Sequence, residues 1–172
     1  MEIEPKLQKY YVASGQYRVS GKKREILEAI LGTCVAVTLC DRRAHVGGLI
    51  HLLLGEPPDV DTWEPLRYAK TGLPPFIRSM CEAGARKERL EAHIAGGALM
   101  GPLSPMDLEL DIGGRTLEVV EKILKREKIS IVKAETGGFF TCRLNINLWS
   151  LESHVEPLDT PESAFKSIER PT

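Results

Sequence analysis

The sequence predicts a mixed α/β domain. Apolar runs of strand length recur along the chain, and other segments carry apolar residues at the spacing of an amphipathic helix. Several strands interspersed with two or three helices are typical of mixed α/β folds, although periodicity alone does not settle the strand order. The length of 172 residues fits one domain with its own core. We therefore expect a single domain over residues 1–158.

The first third of the chain reads as strands. Residues 9–20 alternate loosely around Gly15 and suggest two short extended pieces, and residues 21–25 form a basic turn. Two apolar runs follow, at residues 26–40 and 46–54, joined by a short polar connection. Such runs predict neighbouring buried strands.

A loop and a helical region come next. The prolines and acids of residues 55–65 indicate a loop, and residues 66–88 read as helical on both sides of Pro74 and Pro75. The second helical piece is predicted to start near those prolines and to end at Gly84. Its inner face would be formed by three apolar side chains: Phe76, Ile77 and Met80.

The second half gives the clearest helix. Residues 89–101 predict a strand entering a glycine turn, and residues 111–130 predict a helix with one apolar stripe. The stripe consists of Leu117, Val120, Ile123 and Leu124. Residues 129–135 then predict a strand, and residues 141–158 one or two more. The polar, proline-containing tail at residues 159–172 is expected to be mobile.

Composition excludes some classes of function. A formal net charge of -1 gives no global field that would attract nucleic acid or an anionic membrane. The N-terminus lacks the layout of a signal peptide, and no apolar run approaches the roughly 20 residues of a membrane span. We expect a cytoplasmic protein without membrane insertion. Its four cysteines show no C-x-x-C pairing and are expected to be reduced.

Cys34 and His51 are the candidates for chemistry. Cys34 follows Gly32 and Thr33, a frame in which backbone N–H groups could stabilise an oxyanion. His51 interrupts an apolar run, where an unpaired imidazole would be costly to bury, and it could serve as the base for a thiol nucleophile. The alternative is that both are core residues, and spacing alone favours that alternative.

The remaining histidines are weaker candidates. His45 lies in a polar loop, His93 alternates within a strand beside Glu91, and His154 sits among acids near the C-terminus. A zinc site that includes Cys34 and His51 would lack the paired ligand spacing of such sites. We therefore do not expect a zinc site at these residues.

Five motifs together resemble one family. They are LGTCVAV, the spacing from Cys34 to the histidine of VGGLIH, RLEAHIAGGALMG, IGGRTLEVVEKILKREKISIV and ETGG. In this order and spacing they resemble the CheD family, the chemoreceptor glutamine deamidases of bacterial and archaeal chemotaxis, over residues 9–158.

This resemblance implies a fold, a reaction and partners. The fold would be a layered sandwich of mixed β-sheet packed with helices, related to the catalytic domain of cytotoxic necrotising toxins. The enzyme would hydrolyse the side-chain amide of glutamines in chemoreceptor cytoplasmic helices, with Cys34 as nucleophile, His51 as its base, and Gly32 and Thr33 shaping the loop. A CheC-type phosphatase is a further partner that the family implies, and the resemblance implies neither a metal nor an organic cofactor.

Glu28 departs from the family pattern. CheD proteins usually place a threonine six residues before the cysteine, where it orients the histidine, and this chain has Glu28 there. If the segment is extended, Glu28, Ile30 and Gly32 share one face, so that the carboxylate could orient the imidazole as acids do in other triads. Alternatively, Glu28 is an exposed strand residue without a role.

Two further departures involve possible binding surfaces. The chain reads Tyr68-Ala69-Lys70 where the family has an aspartate in the third position. Phe139 and Phe140 follow Gly137-Gly138, where the family has a polar segment. We expect the two phenylalanines to be core residues; exposed, they would indicate an altered binding surface. Besides the deamidase, two hypotheses remain: a weakly active protein that regulates a CheC-type phosphatase, and a cysteine hydrolase of another protein.

Overall fold

The structure is a computed structural model that describes residues 6–58, 63–99 and 111–158. The predicted tail at residues 159–172 lies outside the described residues. Among the helices that are described, none is long and apolar enough to cross a membrane.

In the part of the chain that the structure describes, nine strands form two mixed sheets. The four-stranded sheet has the order β1-β3-β8-β9, and the five-stranded sheet has the order β2-β5-β4-β6-β7. The strands are β1 Gln8–Tyr11, β2 Gln16–Ser20, β3 Glu25–Leu31, β4 Val35–Asp41, β5 Val46–Leu52, β6 Glu91–Gly96, β7 Ser130–Thr136, β8 Cys142–Asn147 and β9 Ser153–Pro157. The pairs β1–β3 and β6–β7 are parallel, and the others are antiparallel.

The described ranges also contain two α-helices: α1 spans Ala69–Glu82 and α2 spans Ile112–Arg126. Short 3-10 helices lie at Pro65–Arg67 and Lys87–Arg89. Both α-helices pack on one face of the five-stranded sheet, and the four-stranded sheet covers its other face. The result is a sandwich of three layers, which confirms the predicted mixed α/β class with helices packed on sheet.

Each interface between layers has its own apolar core. The core under the helices contains the predicted inner residues of both helices, all of them at most 6% exposed: Phe76, Ile77, Met80, Leu117, Val120, Ile123 and Leu124. The core between the sheets contains Leu27, Ala29 and Leu31 of β3, which pack with Leu49 and Ala95 of the facing sheet. Alternation along β3 therefore directs its odd-numbered side chains toward the five-stranded sheet.

The apolar run at residues 26–40 is divided between the sheets. β3 ends at Leu31 in the four-stranded sheet, and β4 begins at Val35 in the five-stranded sheet. The residues between them, Gly32, Thr33 and Cys34, carry the chain from one layer to the other. As predicted, β4 and β5 are buried neighbours, with Ala36 opposite His51.

Helix α1 differs from the prediction. One continuous helix passes through Pro74 and Pro75 and ends at Glu82, where two pieces ending at Gly84 were expected. Each proline removes a backbone hydrogen bond, which costs helix stability. Full burial of Leu73 and Phe76 on the sheet holds the helix together across this point.

Candidate active site

The Cys34 loop lies at the end of the sandwich where β3 passes into β4. Its carbonyl groups are fixed by the glycine turn after β6: the N–H of Gly97 donates to the Cys34 carbonyl at 2.9 Å, and the N–H of Ala98 donates to the Gly32 carbonyl at 3.0 Å. Two bonds from one turn hold the loop in a single position. The Cys34 side chain is half-buried and packs against the core between the sheets.

The backbone N–H groups of the Cys34 loop are available as hydrogen-bond donors. Within the ranges that the structure describes, neither Thr33 nor Cys34 donates a backbone hydrogen bond. Both residues are only half-buried, so an acceptor bound beside the thiol could reach these N–H groups. Such donors can stabilise the oxyanion that forms when a thiolate attacks a carbonyl carbon.

Gly96 allows the turn to approach the loop. Its φ of 99° lies in the left-handed region, and a Cβ at this position would overlap the carbonyl oxygen of Cys34. The Gly96 carbonyl in turn accepts from the N–H of Gly137 at 2.8 Å, so the two glycine motifs are joined behind Cys34. Only glycine meets both requirements at position 96.

Gly96→Ala is therefore expected to destabilise the protein by about 3 kcal/mol, the sum of the left-handed backbone cost and steric overlap. Urea denaturation measures the loss. Gly84→Ala is the matched control, because Gly84 has a similar φ of 112° with nothing near its Cβ position. Equal losses in the two variants would contradict a specific contact with the Cys34 carbonyl.

His51 lies on β5 and is only 7% exposed. Its Nδ1 is 2.9 Å from the carbonyl oxygen of Val12. A carbonyl only accepts, so Nδ1 carries the proton and Nε2 of the neutral ring is left with its lone pair. Nε2 is buried and has no hydrogen-bond partner in the described structure. The ring is thus oriented with a free basic nitrogen.

Strand register brings His51 and Cys34 to the same face. Ala36 lies opposite His51, and Cys34 precedes Ala36 by two residues, which places it on the same side of the sheet. Diagonal neighbours in an antiparallel pair are about 7 Å apart, within reach of an imidazole. The register therefore places Cys34, with its loop of Gly32 and Thr33, on the same face of the sheet as His51.

Both groups are neutral at rest. Burial raises the pKa of the Cys34 thiol above its ordinary value, and the Ser14 hydroxyl opposes this only in part. Burial likewise lowers the pKa of His51, despite the bond from its ring to Val12. A neutral thiol beside a neutral imidazole suits base-assisted attack, in which the proton moves as the sulfur attacks.

Glu28 lies apart from this pair. Leu27 and Ala29 point into the core between the sheets, so Glu28 points to the opposite face of β3. There its Oε1 lies 3.0 Å from Nε of Arg143, whose Nη1 lies 3.0 Å from Glu156. The prediction that Glu28 shares a face with Ile30 agrees with the structure, but that face is turned away from His51. The group that orients His51 is instead the Val12 carbonyl.

The sequence predicted a break near Gly15, but it did not predict that the turn there contacts His51. This turn runs from Ala13 to Gln16, closed by a 3.0 Å hydrogen bond between them, and the N–H of Gly15 donates to the His51 carbonyl at 2.9 Å. The oxygen of Ser14 is buried within it. Gly15 was the one available signal, since it predicted a break between extended pieces.

The other candidates fall elsewhere. His93 is buried, with Nε2 3.1 Å from Oε2 of Glu135. Nε2 of His45 donates to the backbone carbonyl of Trp149 at 2.9 Å. His154 is exposed. Within the described ranges, no group of three His, Cys, Asp or Glu residues is placed to hold a metal ion.

Phe139 corrects one prediction. It is 53% exposed and so is not a core residue, whereas Phe140 is half-buried. The residue directly before it, Gly138, accepts from the N–H of Leu99 at 2.9 Å, which ties this segment to the turn that holds Cys34. An exposed aromatic side chain therefore lies on the segment bordering the candidate site.

A three-layer mixed α/β domain with an oriented imidazole, a thiol and free amide donors on one face has the components of a cysteine hydrolase. The sequence model of the family described as "CheD chemotactic sensory transduction" matches residues 53–157. The chain belongs to the CheD family, as its motifs predicted.

Curated relatives extend the match. A protein of Caulobacter sp. is 32% identical over 167 residues, covering 95% of this chain and 85% of the relative. One of Thermococcus kodakarensis is 39% identical over 128 residues (74% and 79%), and one of Methanococcus vannielii is 34% identical over 118 residues (69% and 75%). Each is named "Probable chemoreceptor glutamine deamidase CheD".

Among solved structures, a Neisseria meningitidis protein of the DUF152 family superposes with a TM-score of 0.45 at 14% identity. The match covers 77% of this chain and 63% of that protein, less than two thirds of its length.

Proposed function

We propose that this protein deamidates glutamine side chains in the cytoplasmic helices of chemoreceptors, giving glutamate and ammonia. The observation that carries the proposal is the free Nε2 of His51, oriented by Val12 on the face that also carries the Cys34 thiol. The names of the relatives support the substrate class. The reaction would take place in the cytoplasm, where the receptor helices lie.

The first half of the reaction forms a thioester. Nε2 of His51 takes the proton of Cys34 as the sulfur attacks the carboxamide carbon, and the carboxamide oxygen becomes an oxyanion. The unpaired N–H groups of Thr33 and Cys34 donate to that oxyanion. The protonated Nε2 then gives its proton to the leaving nitrogen, so that ammonia departs and a thioester to Cys34 remains.

The second half restores the enzyme. Nε2 of His51 takes a proton from water, whose oxygen attacks the thioester carbon and regenerates an oxyanion at the same donors. Collapse breaks the C–S bond, and the proton returns to the sulfur of Cys34. The balance is one water consumed, one ammonia released and one glutamine converted to glutamate.

An exposed aromatic side chain supports a protein substrate. Phe139 is 53% exposed on the segment that borders the Cys34 loop, and a large apolar side chain in that position is typical of a surface that binds another protein. We infer that Phe139 contacts the receptor helix beside the glutamine that is modified.

The decisive experiment uses a receptor. The protein is incubated with the cytoplasmic fragment of a chemoreceptor from the same organism, and peptide mass spectrometry detects conversion of glutamine to glutamate. We expect conversion at a few defined glutamines and none in a fragment incubated alone. Absence of conversion with every receptor fragment of that organism would contradict the deamidase proposal.

Glu28 supports a second candidate function. Its position is that of the family threonine, yet it pairs with Arg143 away from the site. A site without that residue is consistent with a weakly active protein that binds and regulates a CheC-type phosphatase. Tight binding to such a phosphatase without receptor conversion would favour this function.

A further inference from the structure

The turn at residues 13–16 is attached to His51 at two points. The carbonyl of Val12, just before the turn, accepts from the ring, and the N–H of Gly15 donates to the backbone carbonyl of the same histidine. Gly15 has a φ of 81°, which suits glycine, and a Cβ at this position would lie only 2.6 Å from Cγ of Arg67. These contacts fix the turn relative to the candidate base.

Ser14 lies between those two points of attachment. Its hydroxyl oxygen is buried, and within the described residues it makes no hydrogen bond of ordinary distance and angle. A buried hydroxyl without a partner lowers the stability of the fold, so the presence of one here suggests a functional role. The thiol of Cys34 is within the influence of this hydroxyl, because a hydrogen-bond interaction from Ser14 lowers the pKa of that thiol against the larger effect of burial.

We propose that Ser14 is a catalytic residue whose hydroxyl donates a hydrogen bond to the sulfur of Cys34 when that sulfur becomes a thiolate. The proposal rests on the deamidase function proposed above and deepens it. The turn would then supply both partners of the reacting pair: the Val12 carbonyl for His51, and the Ser14 hydroxyl for Cys34. The turn would thereby provide the orienting contact to His51 that the sequence led us to expect from Glu28.

The proton balance is simple. The thiol proton moves to Nε2 of His51, while the Ser14 O–H bond stays intact throughout. As the C–S bond forms, negative charge moves from sulfur to the carboxamide oxygen, and the hydrogen bond from Ser14 weakens. The charge then lies on the oxygen facing the Cys34 loop, where backbone N–H groups receive it.

The effect of the Ser14 hydroxyl on the pKa of Cys34 can be measured separately from the effects of charged groups. His51 shares its face of the sheet, and Cys142 of β8 belongs to the same buried cluster. The influences on the pKa of Cys34 are burial and the Ser14 hydroxyl, with no contribution from a charged side chain of the described structure. Removal of the hydroxyl should therefore act without competing changes in charge.

The test compares alkylation of Cys34 by iodoacetamide across pH in the full-length protein, followed by peptide mass spectrometry. In Ser14→Ala the rate at neutral pH is expected to fall about tenfold, with the profile displaced to higher pH, and Ser14→Thr is expected to restore it. Ser20→Ala, at the far end of β2, is the control. If Ser14→Ala does not fold, Ser14→Gly replaces it.

Two results would overturn the proposal: a profile of Ser14→Ala that coincides with that of the unmodified protein, or equal displacement in Ser14→Ala and Ser14→Thr. Alkylation needs no receptor, so the role of Ser14 is tested even if no glutamine is converted. Conversely, conversion that survives loss of Cys34 would refute the proposed function while leaving the alkylation result intact.

Discussion

Cys34→Ala is expected to lower the rate of receptor deamidation by at least about a thousandfold, because no thioester can form without the sulfur. The fold should be retained, since Cys34 is half-buried and its replacement removes a single sulfur atom. The measurement is conversion of glutamine to glutamate in a receptor fragment under single-turnover conditions. This is the largest effect that the proposed mechanism predicts.

Cys81→Ala is the matched control for that experiment. Cys81 is exposed on α1, away from the sandwich interior, so its loss should leave the rate unchanged. Cys142→Ala adds a second control, because Cys142 is buried in the same core as Cys34. Conversion by Cys34→Ala at the rate of either control would exclude Cys34 as the nucleophile.

His51→Asn is expected to lower the rate by about a hundred- to ten-thousandfold, the range observed for loss of a general base. The asparagine amide can still donate to the Val12 carbonyl in the way that Nδ1 does, so the contact is kept while the base is lost. His154→Asn, a change at an exposed histidine, is the control. Near-normal conversion by His51→Asn would remove His51 from the mechanism.

The pH profile tests the same residue. Burial lowers the pKa of His51, so the ring stays neutral and basic to lower pH than an exposed histidine. The acid limb of kcat/KM should therefore have its midpoint below about pH 6.5, the ordinary histidine value. A midpoint above that value would show that a different group acts as the base.

Elements with strong local patterns were predictable from the sequence. The stripe from Leu117 to Leu124 marks α2, and the apolar runs around Cys34 and His51 mark buried strands. The chain passes from one sheet to the other within the apolar run at residues 26–40. The sequence did not predict this crossing, because residues buried in either sheet are equally apolar. Pro74 and Pro75 predicted a break in the helix. The helix continues through them because Leu73 and Phe76 are fully buried against the sheet.

The candidate site was predictable only in part. Cys34 and His51 are side chains with recognisable chemistry, and their family motifs singled them out. Glu28 was placed correctly on a strand face with Ile30, but which face is interior depends on Leu27 and Ala29 packing across to another sheet. The Val12 carbonyl could not be foreseen, since a backbone acceptor has no signature in the sequence.

The protonated state of the Cys34 thiol also affects how readily the protein is oxidised. Peroxide oxidises thiolates far faster than thiols, and burial keeps the Cys34 thiol protonated. Cys34 should therefore stay reduced under oxidative conditions that inactivate enzymes with a preformed thiolate. Loss of the thiol proton to His51 would then be the step that makes the sulfur a strong nucleophile, so small oxidants would mostly meet the unreactive thiol.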